Sequence, residues 1–184
     1  MLTLTPKLLR QVLADLERHE GYRLYAYPDP LSKLYKANKN LRWGSKPAKL
    51  LMPAGTNWSD GNPWTVGIGY TIGTTVDSVQ LHDTAVNVTT LEILKCADAL
   101  ARLLPNWLTY PFAVQTVLVN MVYNMGAATL ATFKNSLALL KANNWSAAAD
   151  NLQQSLWYKQ TGDRAKELIA RVRSLKIEPE HEVA

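Results

Sequence analysis

The hydrophobic period of the chain changes at Gly21, and that change excludes both an all-helical and an all-β fold. Upstream, Leu8, Leu9, Val12, Leu13 and Leu16 recur at helical spacing on one face. Thr5-Pro6 is a strong helix start, an N-capping hydroxyl followed by proline at the first helical position. Gly21 supplies the residue that takes up the left-handed conformation past a helix end, so Glu20 is expected at the C-terminal lip. Over residues 22–27 the period becomes two, with Tyr22, Leu24 and Ala26 on one side and Arg23, Tyr25 and Tyr27 on the other. This predicts a short strand, closed by Pro28-Asp29-Pro30. Trp64-Thr65-Val66-Gly67-Ile68-Gly69-Tyr70 alternates again and predicts a second strand, with Gly67 and Gly69 where something must approach the backbone closely.

Helix signals dominate the remainder. Thr89-Thr90-Leu91-Glu92 reads as a capping box opening a helix that runs to about residue 104, where Pro105 ends it. A very apolar helix is predicted over 113–125, stopped by Gly126, with shorter helices over 136–143 and 146–155 and a last one over 163–175. The tail, 178–184, is polar and expected to fray. The expected architecture is α+β and mainly helical, in one domain spanning 1–184. A helix and small β lobe extend to about residue 88 and a larger helical lobe covers about 89–177, with a cleft between lobes to take an extended ligand.

The formal charge of +5 has one source. Residues 31–62 hold Lys33, Lys36, Lys39, Arg42, Lys46 and Lys49 against Asp60 alone, which equals the charge of the whole chain. This segment, rich in Lys, Asn, Gly and Pro, has no clear period and is read as a long surface insertion. A localised basic patch attracts a polyanion: nucleic acid, anionic lipid or an acidic wall. Its bases lie in one loop rather than along a groove-reading helix, which argues against nucleic acid. Tyr35, Trp43 and Trp58 lie among them, so the insertion is either a binder of an anionic wall or membrane surface or a solvated decoration. Trp107, Trp145 and Trp157 fall in helical contexts and are expected in the core.

Other features restrict the setting. No run of about 18 apolar residues exists to span a membrane. The first twenty residues lack the apolar core of a signal peptide, so the chain is expected in the cytosol of its producer. Cys96 is the single cysteine, which excludes an intrachain disulfide, and is expected to be a small buried hydrophobe. His19, His82 and His181 have no ligand spacing, so neither a metal nor a cofactor is expected. No Gly-x-Ser-x-Gly elbow or phosphate-binding loop is present.

What remains is a pair of carboxylates, Glu20 and Asp29. Cleaving a glycosidic bond needs two such groups in different protonation states, one giving a proton to the leaving oxygen and one acting as an anion. At a helix C-terminus the macrodipole disfavours negative charge, whereas Asp29 lies in a turn and is freer to stay ionised. Taken alone, a solvated helix-end carboxylate and an Asp beside proline are ordinary, and these grounds favour that plain reading.

Larger patterns carry a resemblance. Glu20-Gly21-x-Arg23-Leu24-x-x-Tyr27-x-Asp29, then Thr65-Val66-Gly67-Ile68-Gly69, is similar to the active-site signature of the T-even phage lysozymes, glycoside hydrolase family twenty-four. Asn120-Met121-Val122-Tyr123-Asn124-Met125-Gly126, Phe133-Lys134-Asn135-Ser136-Leu137, Trp145 with Ala148, Ala149 and Asn151, and Trp157-Tyr158-x-Gln160-Thr161-x-x-Arg164-Ala165 follow in that family's order. The resemblance implies a lysozyme-like fold and hydrolysis of bacterial peptidoglycan by a monomer during phage-induced lysis, after release from the host cytoplasm to the periplasm. It implies Glu20 as general acid, Asp29 as the carboxylate that activates water, and Thr65 as the hydroxyl that positions it, in a single inverting displacement. Gly67 and Gly69 support this site. Tyr123, Ser136 and Asn151 correspond to substrate-contacting positions, and Arg164 to an arginine paired with the catalytic glutamate.

Two departures stand out. Tyr70 occupies a position where these enzymes usually have histidine. More seriously, 35 residues separate Asp29 from Thr65, against a handful in the T-even enzymes. The site survives only if the insertion loops out from a hairpin end, leaving residues 64–70 to pair with 22–27. A lytic transglycosylase needs the acid but no positioned water, and a wall-binding module needs none of the three residues, so the presence of all three favours hydrolysis.

Overall fold

A computed structural model of the chain describes residues 3–175; the tail expected to fray, 178–184, lies outside them. In chain order the elements are α1 (Pro6–Glu20), β1 (Arg23–Pro28), α2 (Lys33–Ala37), α3 (Ala48–Leu51), β2 (Trp64–Gly67) and α4 (His82–Leu103). Then follow α5 (Phe112–Met125), α6 (Ala127–Ala131), α7 (Lys134–Lys141), α8 (Trp145–Gln153), α9 (Leu156–Thr161) and α10 (Asp163–Arg173). The fold is α+β and mainly helical, with one two-stranded sheet among the described residues. The chain divides into two compact units, one of Leu13–Glu92 and one comprising residues up to Val12 and from Ile93 onward. The division falls inside α1 and α4.

The unit of Leu13–Glu92 is built on antiparallel β1 and β2. Arg23 pairs with Gly67, Tyr27 with Thr65 and Pro28 with Trp64, and a register shift between Arg23 and Tyr27 bulges β1. On the other edge of the bulged segment, the amide of Gln80 donates to the Leu24 carbonyl at 2.9 Å and that of Ala26 to Ser78 at 3.0 Å. The sheet therefore pairs as its alternation predicts, and the insertion leaves and re-enters at the hairpin end. The second strand is shorter than expected. It stops at Gly67 because Val66 and Tyr70 bond each other's backbones across a tight turn, at 2.9 and 3.0 Å. Ile68 at the turn is fully buried, which supplies the anchoring contact that its alternation suggested belonged to a strand.

The insertion is not irregular. It forms α2, α3 and a 3-10 turn over Trp58–Gly61, around a small core of its own. Leu34, Trp43 and Ala48 pack with Ala26, Trp64 and Val66 of the sheet, and Tyr35 and Trp58 pack against them. The two buried indoles of this core each find an acceptor: Trp43 Nε1 donates to the Asn38 carbonyl at 3.2 Å and Trp64 Nε1 to that of Trp58 at 3.1 Å. The aromatics that the sequence offered as binding groups are thus spent largely on packing. The six basic residues are all exposed.

In the other unit, α5 is the central helix, buried from Thr116 to Val122, and α10 packs against α5, α8 and α9. Four expectations change. Helix α4 begins at His82, one turn and more before the capping-box sequence, and Thr89 is buried inside it. The signature is a local one, and the helix is already nucleated upstream by the Ala85 amide on the Leu81 carbonyl at 2.9 Å. Two short helices, α6 and α9, lie where the sequence predicts none; each is a single turn or so, too short to show a period. Cys96 is half-buried rather than buried. Trp145 is likewise only partly buried, its ring 5.2 Å from that of Tyr110, while Trp107 and Trp157 are core. No described helix is long and apolar enough to cross a membrane.

Candidate active site

Glu20 is the last residue of α1, and Gly21 at φ 69° turns the chain directly into β1. The tight turn after β2 comes back onto this helix end. Gly67 and Gly69 have φ of 64° and 72°, which L side chains rarely adopt. A β-carbon on Gly69 would lie 3.2 Å from Glu20 Cγ. Gly69 therefore forms a bare backbone wall against the Glu20 carboxyl, the close approach that its sequence position implied.

Tyr27 ties the other candidates to Glu20. Its cross-strand partner is Thr65, whose side chain hydrogen-bonds the Tyr27 phenol. Burial raises the phenol's pKa, and the charges of Glu20 and, more weakly, Asp29 raise it further, while Arg23 and the Thr65 hydrogen bond act against them. One half-buried side chain thus senses Glu20, Asp29 and Thr65 together. Thr65 itself is buried.

At Asp29 the hairpin extends one step past Pro28. Its amide donates to the Gly61 and Pro63 carbonyls at 3.2 and 3.0 Å, and its Oδ1 accepts the Leu31 amide at 2.6 Å. Its carboxylate thus fills the turn role that an Asp beside proline ordinarily has. The 35 intervening residues leave and return at this end of the hairpin. A carboxyl at a helix end, a second carboxylate and a hydroxyl on one hairpin are the groups that proton donation and water activation require.

A cavity of ≈740 Å³ within this unit is lined by Glu20, Tyr22, Arg23 and Tyr27 on one side and by Tyr35 and the insertion's 41–45 segment on another. Sequence reasoning missed this second wall. It also left Tyr27 without a role, although i and i+2 share a strand face and so placed Tyr27 beside Asp29.

In the helical unit the predicted substrate residues divide. Ser136 Oγ donates to Asn151 Oδ1 at 2.7 Å, and both line a cavity of ≈550 Å³ together with Phe133, Lys134 and Ser155. Tyr123, half-buried on α5, is not among its lining residues. Arg164 is buried, with Nη2 3.4 Å from Asn120 Oδ1, and Asn120 is fixed in turn by donating to the Thr116 carbonyl at 2.9 Å. Tyr70 is partly buried, its backbone committed to the tight turn. No group of three or more His, Cys, Asp or Glu among the described residues is arranged to hold a metal.

Comparison with known proteins bears on the same elements. Two relatives from Dictyostelium discoideum, probable T4-type lysozyme 2 and probable T4-type lysozyme 1, are 42% and 38% identical over 53 residues. Each match covers 29% of this chain and 31% of the relative, so the chain spans about a third of the length of these relatives. The phage lysozyme family matches far more, residues 51–174, which include Thr65, Gly67, Gly69, Tyr123, Ser136, Asn151 and Arg164 and begin after Glu20 and Asp29. With the hairpin's second strand, its glycine turn and the helical series all inside that match, the chain belongs to the phage lysozyme family.

Proposed function

We propose that the chain is a glycoside hydrolase of bacterial peptidoglycan, cleaving the β-1,4 bond between N-acetylmuramic acid and N-acetylglucosamine by a single displacement with inversion. What supports this reading is that Glu20 and Tyr27 line one cavity, that Thr65 is the cross-strand partner of Tyr27, and that Asp29 continues the same hairpin although the insertion separates it from Thr65 in sequence. Glu20 gives its proton to the glycosidic oxygen as the bond breaks. Water attacks the anomeric carbon from the opposite face, losing a proton to the Asp29 carboxylate, with the Thr65 hydroxyl holding the water in line. Inversion calls for two carboxyl groups about 6.5–9.5 Å apart, room for one water between acid and base. Ser136 and Asn151 contribute polar groups for the sugar chain, with Tyr123 as a further contact. The biological setting we assign is phage-induced lysis, the enzyme reaching the wall after release from the host cytoplasm.

Product analysis tests the reaction. Hydrolysis leaves a free reducing end on muramic acid, whereas a transglycosylase leaves an anhydro-sugar, and the second result would overturn the role given to Asp29 and Thr65. Glu20→Gln is expected to abolish clearing of permeabilised Gram-negative cells while leaving the thermal unfolding transition in place. Retained clearing would remove Glu20 from the mechanism.

A further inference from the structure

The cavity beside Glu20 is unusual in its charge. Its lining includes two guanidinium groups, Arg23 from β1 and Arg42 from the insertion, against one carboxyl, Glu20. Neither arginine makes an ion pair with a carboxylate among the described residues. Arg23 Nη1 donates only to the adjacent Tyr22 carbonyl, at 2.9 Å.

The insertion builds this wall deliberately onto β1. Gly44 has φ 77°, and a β-carbon there would meet Arg23 Cδ at 2.8 Å and Cγ at 2.9 Å, so the bare backbone of the insertion lies on the arginine's methylene stem. The Gly44 carbonyl also accepts the Tyr25 amide at 3.4 Å. Trp43, buried and hydrogen-bonded through its indole, anchors the turn, and the Ser45 amide closes it on the Arg42 carbonyl at 3.2 Å. Arg42 is thus an exposed side chain on a fixed backbone, while the stem of Arg23 is clamped. Two arginines lining one cavity, one with its stem clamped and one on a fixed backbone, suit a carboxylate, which guanidinium groups bind with paired, charge-assisted hydrogen bonds.

We infer that Arg42 and Arg23 form an anion subsite that takes a carboxylate of the peptide stem carried by muramic acid, so that the insertion selects stem-bearing glycan. The inference rests on the hydrolase reading above, since the glycan must lie against Glu20 to bring its stem into this cavity. Glycan strands stripped of stems keep only the lactyl carboxylate of muramic acid, held against the sugar ring, and lack the carboxylates farther along the peptide, which are the groups the subsite reads.

The test compares intact sacculi with the same sacculi stripped of stems by an amidase. The unmodified protein is expected to favour intact material in kcat/KM. In Arg42→Ala that preference falls about tenfold, through KM rather than kcat, the size of one lost charge-assisted contact. Arg42→Lys restores part of it, because the charge remains but the paired geometry does not. A preference that is absent from the unmodified protein, or unchanged in Arg42→Ala, overturns the inference. Binding of the same proteins to immobilised glycan from both preparations separates recognition from cleavage. Arg42-dependent retention on intact sacculi by a protein that cleaves neither would sustain the subsite and sink the hydrolase reading. Cleavage without any stem preference in either assay would do the reverse.

Discussion

The backbone of Gly69 and the carboxyl of Glu20 occupy adjoining space: a β-carbon on the glycine would stand 3.3 Å from both Cδ and Oε2 of the acid. That is tighter than ordinary van der Waals contact, so the turn after β2 sets where the Glu20 carboxyl can lie. Gly69→Ala tests this coupling. The left-handed backbone at φ 72° costs an alanine about 1–2 kcal/mol, which a thermal melt will register as a modest loss. The larger effect is expected on turnover, because in the proposed mechanism a shift of a few tenths of an ångström misaligns the Glu20 carboxyl with the glycosidic oxygen. A fall in kcat of tenfold or more is expected, and an unchanged kcat would mean the acid tolerates displacement.

Asp29 joins an observed turn bond to the proposed role of base, and substitutions can separate the two. Its Oδ1 accepts the Leu31 amide at 2.6 Å and shapes the start of the insertion. Asparagine retains an acceptor oxygen and hence the turn, but cannot take a proton from water. Asp29→Asn is therefore expected to keep its melting temperature and lose roughly 10²–10⁴-fold in kcat. Asp29→Ala should add a stability loss of about 1 kcal/mol for the missing turn bond. Equal activity in Asn and unmodified proteins would move the base elsewhere.

Gly61 lies where the insertion re-enters beside Asp29. Its carbonyl accepts the Asp29 amide, and a β-carbon there would meet Trp64 Cζ2 at 2.6 Å and Pro28 Cβ at 3.1 Å. The Trp64 ring is buried and cannot swing aside. Gly61→Ala is expected to destabilise by about 1–3 kcal/mol, the usual range for overpacking, and to lower activity through Asp29. Denaturant unfolding beside kcat measures both. Full activity with lowered stability would show that the return path does not position the carboxylate.

Much of this was legible in the residues, and the limits have physical causes. Thr5-Pro6, the leucine face and Gly21 located α1 to the residue, because caps and stops are local chemistry; Thr5 Oγ1 does accept the Leu8 amide, at 3.2 Å. The pairing of the two β segments followed from their alternation and the proline-bounded end. The tight turn at Gly67–Gly69 did not, since a buried Ile68 between two glycines alternates just as a strand does. Nor did the insertion's core: Leu34, Trp43 and Ala48 are far apart in sequence and converge only once the sheet gives them a surface. Its second role, walling the cavity at Glu20, depends on Gly44 meeting Arg23, a contact between residues twenty-one apart that no period encodes.

Tyr27 offers a test that does not require substrate. Burial first, then the negative charge of Glu20, holds its phenol protonated above the ordinary value of 10.0. In the unfolded chain the same phenol ionises at about 10. Between those two values the folded state binds the extra proton, so stability is complete below pH 10 and declines as pH rises through the folded pKa. Tyr110, also raised by burial, adds to the same decline. Tyr27→Phe should therefore flatten, without abolishing, the loss of unfolding free energy measured by urea titration from pH 9 to about pH 11. Glu20→Gln removes one of the charges that raise the phenol and should lower the Tyr27 midpoint seen in ultraviolet titration at about 295 nm, relative to the unmodified protein. An unmoved midpoint would mean that Glu20 does not act on Tyr27, and the grouping that places acid, base and hydroxyl around one side chain would lose its first member.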